Sequence, residues 1–182
     1  MTKKEFATFA MALKTYYPRE NLIPNDKALE LWFIQLQDLE YKTLEIVLNK
    51  WVATNKWSPS IAEIREAAAE ITSPEIPDWG EAWEKVLKVV WHYGSYEPEK
   101  AMAELDEITA AAVKRVGYYE ICQSTNIAVE RANFRDIYNN LAERKKTHQQ
   151  IAPQILAMIE TAQKENIKAL EEKSAAAGEN KK

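Results

Sequence analysis

The chain has 182 residues, a formal net charge of -4 at pH 7, 46% hydrophobic residues and 29% charged residues. This composition is typical of a folded globular protein and excludes a disordered chain of low hydrophobicity. Four glycines and one cysteine disfavour a β-rich fold with many tight turns and exclude a disulfide framework within one chain. No signal-peptide or membrane-spanning pattern is present, so we expect a cytoplasmic protein that does not contact a membrane.

The first 71 residues contain four segments in which apolar residues recur at helical spacing. Two of these segments begin with a capping box, in which Ser or Thr is followed three residues later by Glu, and another can be capped by Asn or Asp. The residues that carry these signals are Thr2 with Glu5, Asn25 or Asp26, and Ser60 with Glu63. A further helix is expected over Tyr41–Thr54. We therefore predict a compact N-terminal helical domain over residues 1–71.

Residues 72–77 contain two prolines and predict a linker. Start or stop signals for three shorter helices follow the linker. These signals are Asp78, Gly94, Pro98, Asp106 and Gly117. Tyr118–Gln123 can form one further helical turn. This part of the chain therefore predicts helices joined by short loops.

Two long helices are expected at the C-terminal end. One should begin near Ser124 or Thr125, and the other should cover residues 151–173. Together with the shorter helices they predict a C-terminal helical section over residues 78–173. Residues 174–182 are small and polar, and we expect a disordered tail there. The whole chain is predicted to be all-α.

The motifs of common enzyme classes are missing from the sequence. The phosphate-binding pattern G-x-x-x-x-G-K-[ST] does not occur, which disfavours a nucleotide-hydrolysing protein. His92 and His148 stand far apart without the spacing of a metal motif, and Cys122 has no protease-like signature around it. We therefore expect a protein that is not an enzyme and that uses neither a metal ion nor a cofactor.

Basic and aromatic residues alternate in the predicted helix after Thr125. Such a face can bind an acidic protein or a phosphate backbone, although Phe134 and Tyr138 at this spacing are also typical of a core. Two tryptophans lie off the main apolar stripes and are candidates for exposed interface residues. The candidate partner-binding residues are Arg131, Arg135, Tyr138, Arg144, Lys145, Lys146, Trp57 and Trp91.

Acidic residues outnumber basic residues most clearly between Thr72 and Gly117. Carboxylates arranged on one surface can occupy a channel that normally holds DNA phosphates, although solvated helix faces and helix caps use the same residue types. The candidate acidic face consists of Glu75, Asp78, Glu81, Glu84, Glu97, Glu99, Glu104, Asp106 and Glu107.

Three segments near the N-terminus form a recognisable arrangement. They are an aromatic helix ending at Tyr17-Pro18, a tryptophan-containing helix that includes Ala28–Trp32, and the run ATNKWSPSIAEIR from Ala53 to Arg65. This arrangement resembles the N-terminal domain of the phage family of replicative-helicase loaders and inhibitors. Downstream, Gly80–Trp83, Tyr93-Gly94 and Gly117–Cys122 are similar to longer members from phages of Gram-positive bacteria.

The resemblance implies an adaptor without ATPase activity that binds a hexameric replicative helicase, holds it inactive and passes it to an origin-bound replication protein. In the family the C-terminal part contacts the helicase and can be flexible when free, whereas this chain has patterned helices beyond Asp78. Two alternatives remain open from the residues. The acidic segment would suit an anti-CRISPR inhibitor of a Cas nuclease, and the stretch from Arg131 to Lys146 would suit a DNA-binding replication organiser, for which the net charge predicts weak binding at most.

Overall fold

The computed structural model describes the backbone of residues 1–179 and the side chains of residues 1–170. Ten helices and no strand are found within the described residues, which confirms the prediction of an all-α fold. The helices are α1 (Lys3–Tyr16), α2 (Asp26–Leu36), α3 (Tyr41–Thr54), α4 (Ile61–Thr72), α5 (Trp79–Tyr93), α6 (Pro98–Ala103), α7 (Glu107–Val116), α8 (Tyr118–Gln123), α9 (Ile127–Gln150) and α10 (Pro153–Glu179).

The predicted caps start the N-terminal helices. The backbone amide of Thr2 donates to Glu5 Oε2 at 2.7 Å, and the Glu5 amide donates to Thr2 Oγ1 at 3.3 Å, which completes a capping box. Ser60 and Glu63 form a second box with the same two distances. Backbone and side-chain hydrogen bonds from Thr2 and Ser60 hold the pKa values of Glu5 and Glu63 below their usual range. Asn25 is the cap of α2, since its side chain accepts from the Ala28 amide at 2.9 Å.

The chain divides into two compact units. Unit 1 combines Met1–Ser73 with the segment that begins at His148, and unit 2 is Pro74–Thr147. The predicted C-terminal section, 78–173, is therefore shared between the two units. Of the predicted tail, 174–182, the backbone to Glu179 belongs to α10, and the last three residues lie outside the described part of the chain.

The core of unit 1 is formed by α1, α2, α3 and α4. Its largest fully buried apolar side chains are Phe6, Leu13, Leu36, Leu44, Val47 and Ile64. Burying one side chain of this size stabilises a fold by about 1.5–3 kcal/mol. These residues follow the apolar stripes of the sequence, which is why the period of the pattern is sufficient to predict the four helices.

The segment that begins at His148 is attached to the N-terminal helices of unit 1 by polar contacts. Arg65 Nε in α4 donates to the Gln150 carbonyl, and Gln154 Nε2 donates to the Ile34 carbonyl at 2.8 Å. Ala152 is only 1% exposed. The first turn of α10 is therefore held against unit 1.

The core of unit 2 is built around an aromatic row. The Phe134 ring lies 5.1 Å from the Trp83 ring and 5.5 Å from the Tyr138 ring. The Tyr138 hydroxyl donates to the Pro77 carbonyl at 2.8 Å, which fixes the chain just before α5. Helix α9 begins at Ile127, two residues later than the last expected start, because the Ser124 hydroxyl accepts from the Asn126 amide and forms a turn there.

Candidate protein-binding surfaces

The basic residues predicted for partner binding have different environments in unit 2. The guanidinium carbons of Arg131 and Arg135 lie 5.2 Å and 5.9 Å from the centroid of the Trp79 ring. These are cation–π distances, so both arginines cover an aromatic side chain of their own unit. Arg135 also bonds Asp136 at 3.2 Å. Both arginines remain largely exposed and can still offer N–H donors to a partner.

The three basic residues that follow are also separated. Lys145 forms an ion pair with Glu107 of α7, whereas Arg144 and Lys146 are exposed. Lys146 lines an open cleft of about 490 Å³ together with Glu75, Asp78, Glu81, Trp79 and Tyr138. The cleft has mixed charge, so its lining does not form a uniformly basic surface.

Tyr138 is placed inside unit 2. Its side chain is 1% exposed, and burial, followed by the nearby carboxylate of Asp106, raises its pKa to about 12. A buried phenol that already bonds the Pro77 carbonyl has no free surface to present. Tyr138 therefore contributes to the core of unit 2.

The residues of the candidate acidic face have several roles within unit 2. Asp78 caps α5 by accepting from the Gly80 and Glu81 amides at 2.8 Å and 3.0 Å. Asp106 caps α7 through Thr109. Glu97, Glu104 and Glu107 accept from Lys100, Tyr93 and Lys145, respectively. Five of the nine candidate carboxylates thus have hydrogen-bond partners in their own unit, and for Glu97 and Glu107 the partner is a lysine with a compensating charge.

Trp57 and Trp91 are both on the surface, with 74% and 88% of their area exposed. The Trp57 carbonyl accepts from Trp51 Nε1 at 2.8 Å, so the backbone at Trp57 is held while its ring faces solvent. Leu87, one turn before Trp91 on α5, is 39% exposed and extends the apolar surface there. Exposed tryptophans of this kind are frequent anchors of protein interfaces.

Helix α10 carries an apolar stripe that the sequence analysis did not select. The stripe consists of Leu156, Ile159, Gln163, Ile167 and Leu170. At 100° per residue these positions span an arc of about 80°. Ile159, Ile167 and Leu170 are 40%, 56% and 65% exposed. Helical periodicity could have identified this stripe, but only the structure reveals that it faces solvent.

The opposite side of α10 is polar and electrically balanced. It carries Glu165 and Lys168, and Glu160 and Lys164 lie between it and the apolar stripe; all four residues are exposed. Met158, 71% exposed, lies about 140° around the helix from Gln163 and is therefore outside the apolar stripe. An amphipathic helix with an exposed apolar side is suited to lie in a hydrophobic groove of another protein.

In the part of the chain that the structure describes, no group of three or more His, Cys, Asp or Glu side chains could hold a metal ion. Burial raises the pKa of the Cys122 thiol, which lowers the share of reactive thiolate. None of the helices among the described residues is both long enough and apolar enough to span a membrane.

Exposed tryptophans and an amphipathic helix on an all-helical scaffold are features of proteins that act through protein contacts. Residues 1–65 match the family model for the N-terminal domain of a phage helicase loader and inhibitor. The match confirms the predicted resemblance over α1, α2, α3 and the first turn of α4, about a third of the chain. No curated protein and no solved structure showed significant similarity to the chain.

Proposed function

We propose that the protein is a non-enzymatic phage adaptor that binds a hexameric replicative DNA helicase, inhibits it and delivers it to an origin-bound replication protein in the bacterial cytoplasm. The observation that carries this proposal is the match of residues 1–65 to the N-terminal domain of a phage helicase loader and inhibitor. The exposed apolar surfaces outside the matched region support it, because an adaptor must offer contact surface to more than one partner.

We assign helicase contact to α10. Its first turn is held to unit 1 by Gln154 and by the buried Ala152. Beyond that turn, Ile159, Ile167 and Leu170 are exposed. Burying such side chains in a groove of the helicase would remove apolar area from water, which is the main source of affinity for helix-in-groove contacts.

Inhibition without nucleotide hydrolysis follows from differential binding. A hexameric helicase changes conformation during its ATP cycle, and a ligand that binds one conformation more tightly than the others shifts the population towards that conformation. Release to the origin-bound protein would then occur when a second contact favours another helicase conformation. The adaptor needs only binding surfaces for this role.

Binding to the purified host helicase tests the proposal. The wild-type protein should bind and lower the DNA-stimulated ATPase rate, and the double change Ile159→Asp with Ile167→Asp should weaken binding about tenfold or more, because two charges would replace apolar contacts. Thr161→Asp, on the polar side of α10, is the matched control and should bind like the wild type. Wild-type protein that neither binds the helicase nor changes its ATPase rate would contradict the proposal.

Salt dependence separates this function from the alternatives. Apolar docking should change little between low and moderate salt, whereas binding to a DNA backbone should weaken steeply. Arg131 and Arg135 cover Trp79, and five candidate acidic residues have internal partners. Neither the DNA-binding organiser nor the inhibitor of a Cas nuclease therefore has a specific structural observation in its favour.

A further inference from the structure

The apolar stripe of α10 is symmetric about Gln163. Four residues to either side lie Ile159 and Ile167, and seven residues to either side lie Leu156 and Leu170. The stripe therefore reads the same in both chain directions. A helix with this pattern offers a matching surface to a second copy of itself that runs the opposite way.

From this symmetry we infer that the free protein forms a homodimer in which two α10 helices pack antiparallel, with Gln163 at the centre. Ile159 then contacts Ile167 of the second copy, and Leu156 contacts Leu170. Ile159, Ile167 and Leu170 are exposed in the single chain, so pairing would bury them. The two Gln163 amides meet at the centre, and each can donate to and accept from the other.

Charges beside the stripe favour the antiparallel direction. Glu160 and Lys164 lie on the same flank of α10, three residues before and one residue after Gln163. In an antiparallel pair this flank meets itself, so Glu160 approaches Lys164 of the second copy, and the contact occurs twice. In a parallel pair the same flank would face the side that carries Ile155 and Ala162. Exposed ion pairs add little affinity, but they select orientation.

The polar side of α10 argues for a protein partner rather than a membrane surface. Helices that lie in a membrane interface are rich in Lys and Arg on their polar side. Here Glu160 and Glu165 balance Lys164 and Lys168. The balance removes the electrostatic attraction to anionic lipid, whereas it suits pairing with an identical helix.

Cysteine crosslinking tests the inference at the centre of symmetry. In a full-length protein with Cys122→Ser, Gln163→Cys should form a disulfide-linked dimer upon mild oxidation. Glu165→Cys, on the opposite side of the helix, is the matched control and should stay monomeric. Leu156→Cys distinguishes direction. The two Leu156 positions of an antiparallel pair are about 21 Å apart along the axis, too far for a disulfide, whereas a parallel pair would crosslink them.

Light scattering on the unmodified chain gives a second readout. We expect twice the chain mass of 20.9 kDa, and the double change Ile159→Asp with Ile167→Asp should raise the dimer dissociation constant about tenfold or more. A monomeric wild type without a Gln163→Cys crosslink would overturn the dimer, and equal crosslinking of Leu156→Cys would overturn its direction.

The inference goes beyond helicase binding and can fail independently of it, because these measurements contain no helicase. If the homodimer and helicase binding are both confirmed, the stripe of α10 binds the second copy and the helicase in turn. Adding helicase should then reduce the Gln163→Cys crosslink, whereas an unrelated protein should leave it unchanged.

Discussion

Arg65 and Asp38 form a bidentate ion pair in unit 1, with Nη1–Oδ1 and Nη2–Oδ2 distances of 2.9 Å each. The two side chains are 8% and 20% exposed. Arg65 Nη1 also donates to the Gln35 carbonyl at 2.6 Å, and its Nε donates to the Gln150 carbonyl. One guanidinium therefore connects α4, the end of α2 and the segment that leads into α10.

Arg65→Ala should lower the free energy of unfolding of unit 1 by about 3 kcal/mol, because removing one partner leaves the other charge poorly compensated. Urea unfolding followed by circular dichroism measures this change. The matched control is Lys50→Ala, which removes an ion pair to Glu70 whose side chains are 59% and 61% exposed. The control should cost about 1 kcal/mol or less. Equal losses for the two variants would show that Arg65 is not a structural centre.

The lowered pKa of Asp106 predicts that unit 2 becomes less stable at acidic pH. Burial opposes ionisation of its carboxyl, but hydrogen bonds from the Thr109 hydroxyl and amide, together with Lys85, outweigh burial and lower its pKa. Because the folded pKa lies below the unfolded value, Asp106 stabilises the fold above the unfolded pKa. This stabilisation is lost as the pH falls through the folded pKa. Unfolding free energies measured from neutral to acidic pH should show this decline.

Asp106→Asn is the matching variant for the acid prediction. Asparagine can still accept from the Thr109 amide and does not titrate in this range, although it cannot also accept from the Thr109 hydroxyl at the second position. The free energy of unfolding of the variant should therefore depend less on pH than that of the wild type over the acidic range. An unchanged pH dependence would contradict the assigned role of Asp106.

The raised pKa of Tyr138 predicts that unit 2 loses stability at alkaline pH. Burial and the neighbouring Asp106 raise its pKa to about 12. The pKa of Tyr138 is higher in the folded state than in the unfolded state. The stabilisation that the protonated phenol contributes is therefore complete below about pH 10 and is lost as the pH rises through the folded pKa. Burial also raises the pKa of Tyr118 to about 12, so absorbance titration should reveal a late phase from both tyrosines, and Tyr138→Phe should reduce the amplitude of that phase by about half.

The same variant tests the hydrogen bond to Pro77. Tyr138→Phe leaves the Pro77 carbonyl without its 2.8 Å donor and should destabilise unit 2 by about 1 kcal/mol. Tyr119→Phe, at a side chain that is 51% exposed, should leave the unfolding free energy within about 0.5 kcal/mol. A smaller loss for Tyr138→Phe than for Tyr119→Phe would refute the assignment.

Trp57 and Trp91 should account for most of the tryptophan fluorescence that iodide can quench, since they are 74% and 88% exposed. Trp91→Phe should reduce the quenchable fraction, and Trp83→Phe should not, because Trp83 is 4% exposed. Trp91→Phe should also leave the unfolding free energy within about 0.5 kcal/mol. Strong quenching that persists when both exposed tryptophans are replaced would contradict this placement.

Helix starts were the most predictable feature of the fold. The capping boxes at Thr2 and Ser60 form as predicted, because the bonding groups lie three residues apart and need no distant partner. The start of α9 was less predictable. Ser124 accepts from the Asn126 amide instead of capping the helix, since short polar side chains stabilise turns as readily as helix ends.

The candidate binding residues were less predictable than the helices. The sequence grouped Arg131, Arg135, Arg144, Lys145 and Lys146 as a possible basic face, and this face stays a prediction. What the sequence did not predict is that Arg131 and Arg135 cover Trp79 and that Lys145 pairs with Glu107. The stripe of α10 was missed because an apolar helical pattern usually indicates a buried face. Which face is covered depends on neighbours that are distant in the chain.

The sequence by itself determined the all-α class, the positions of the helices and the resemblance of the N-terminal region to helicase loaders, because caps and hydrophobic periods act between residues a few positions apart. Only the tertiary structure decided that the segment from His148 joins unit 1 through Arg65 and Gln154, and that the stripe of α10 faces solvent. These outcomes depend on packing between segments more than 80 residues apart, and local patterns do not encode such pairings.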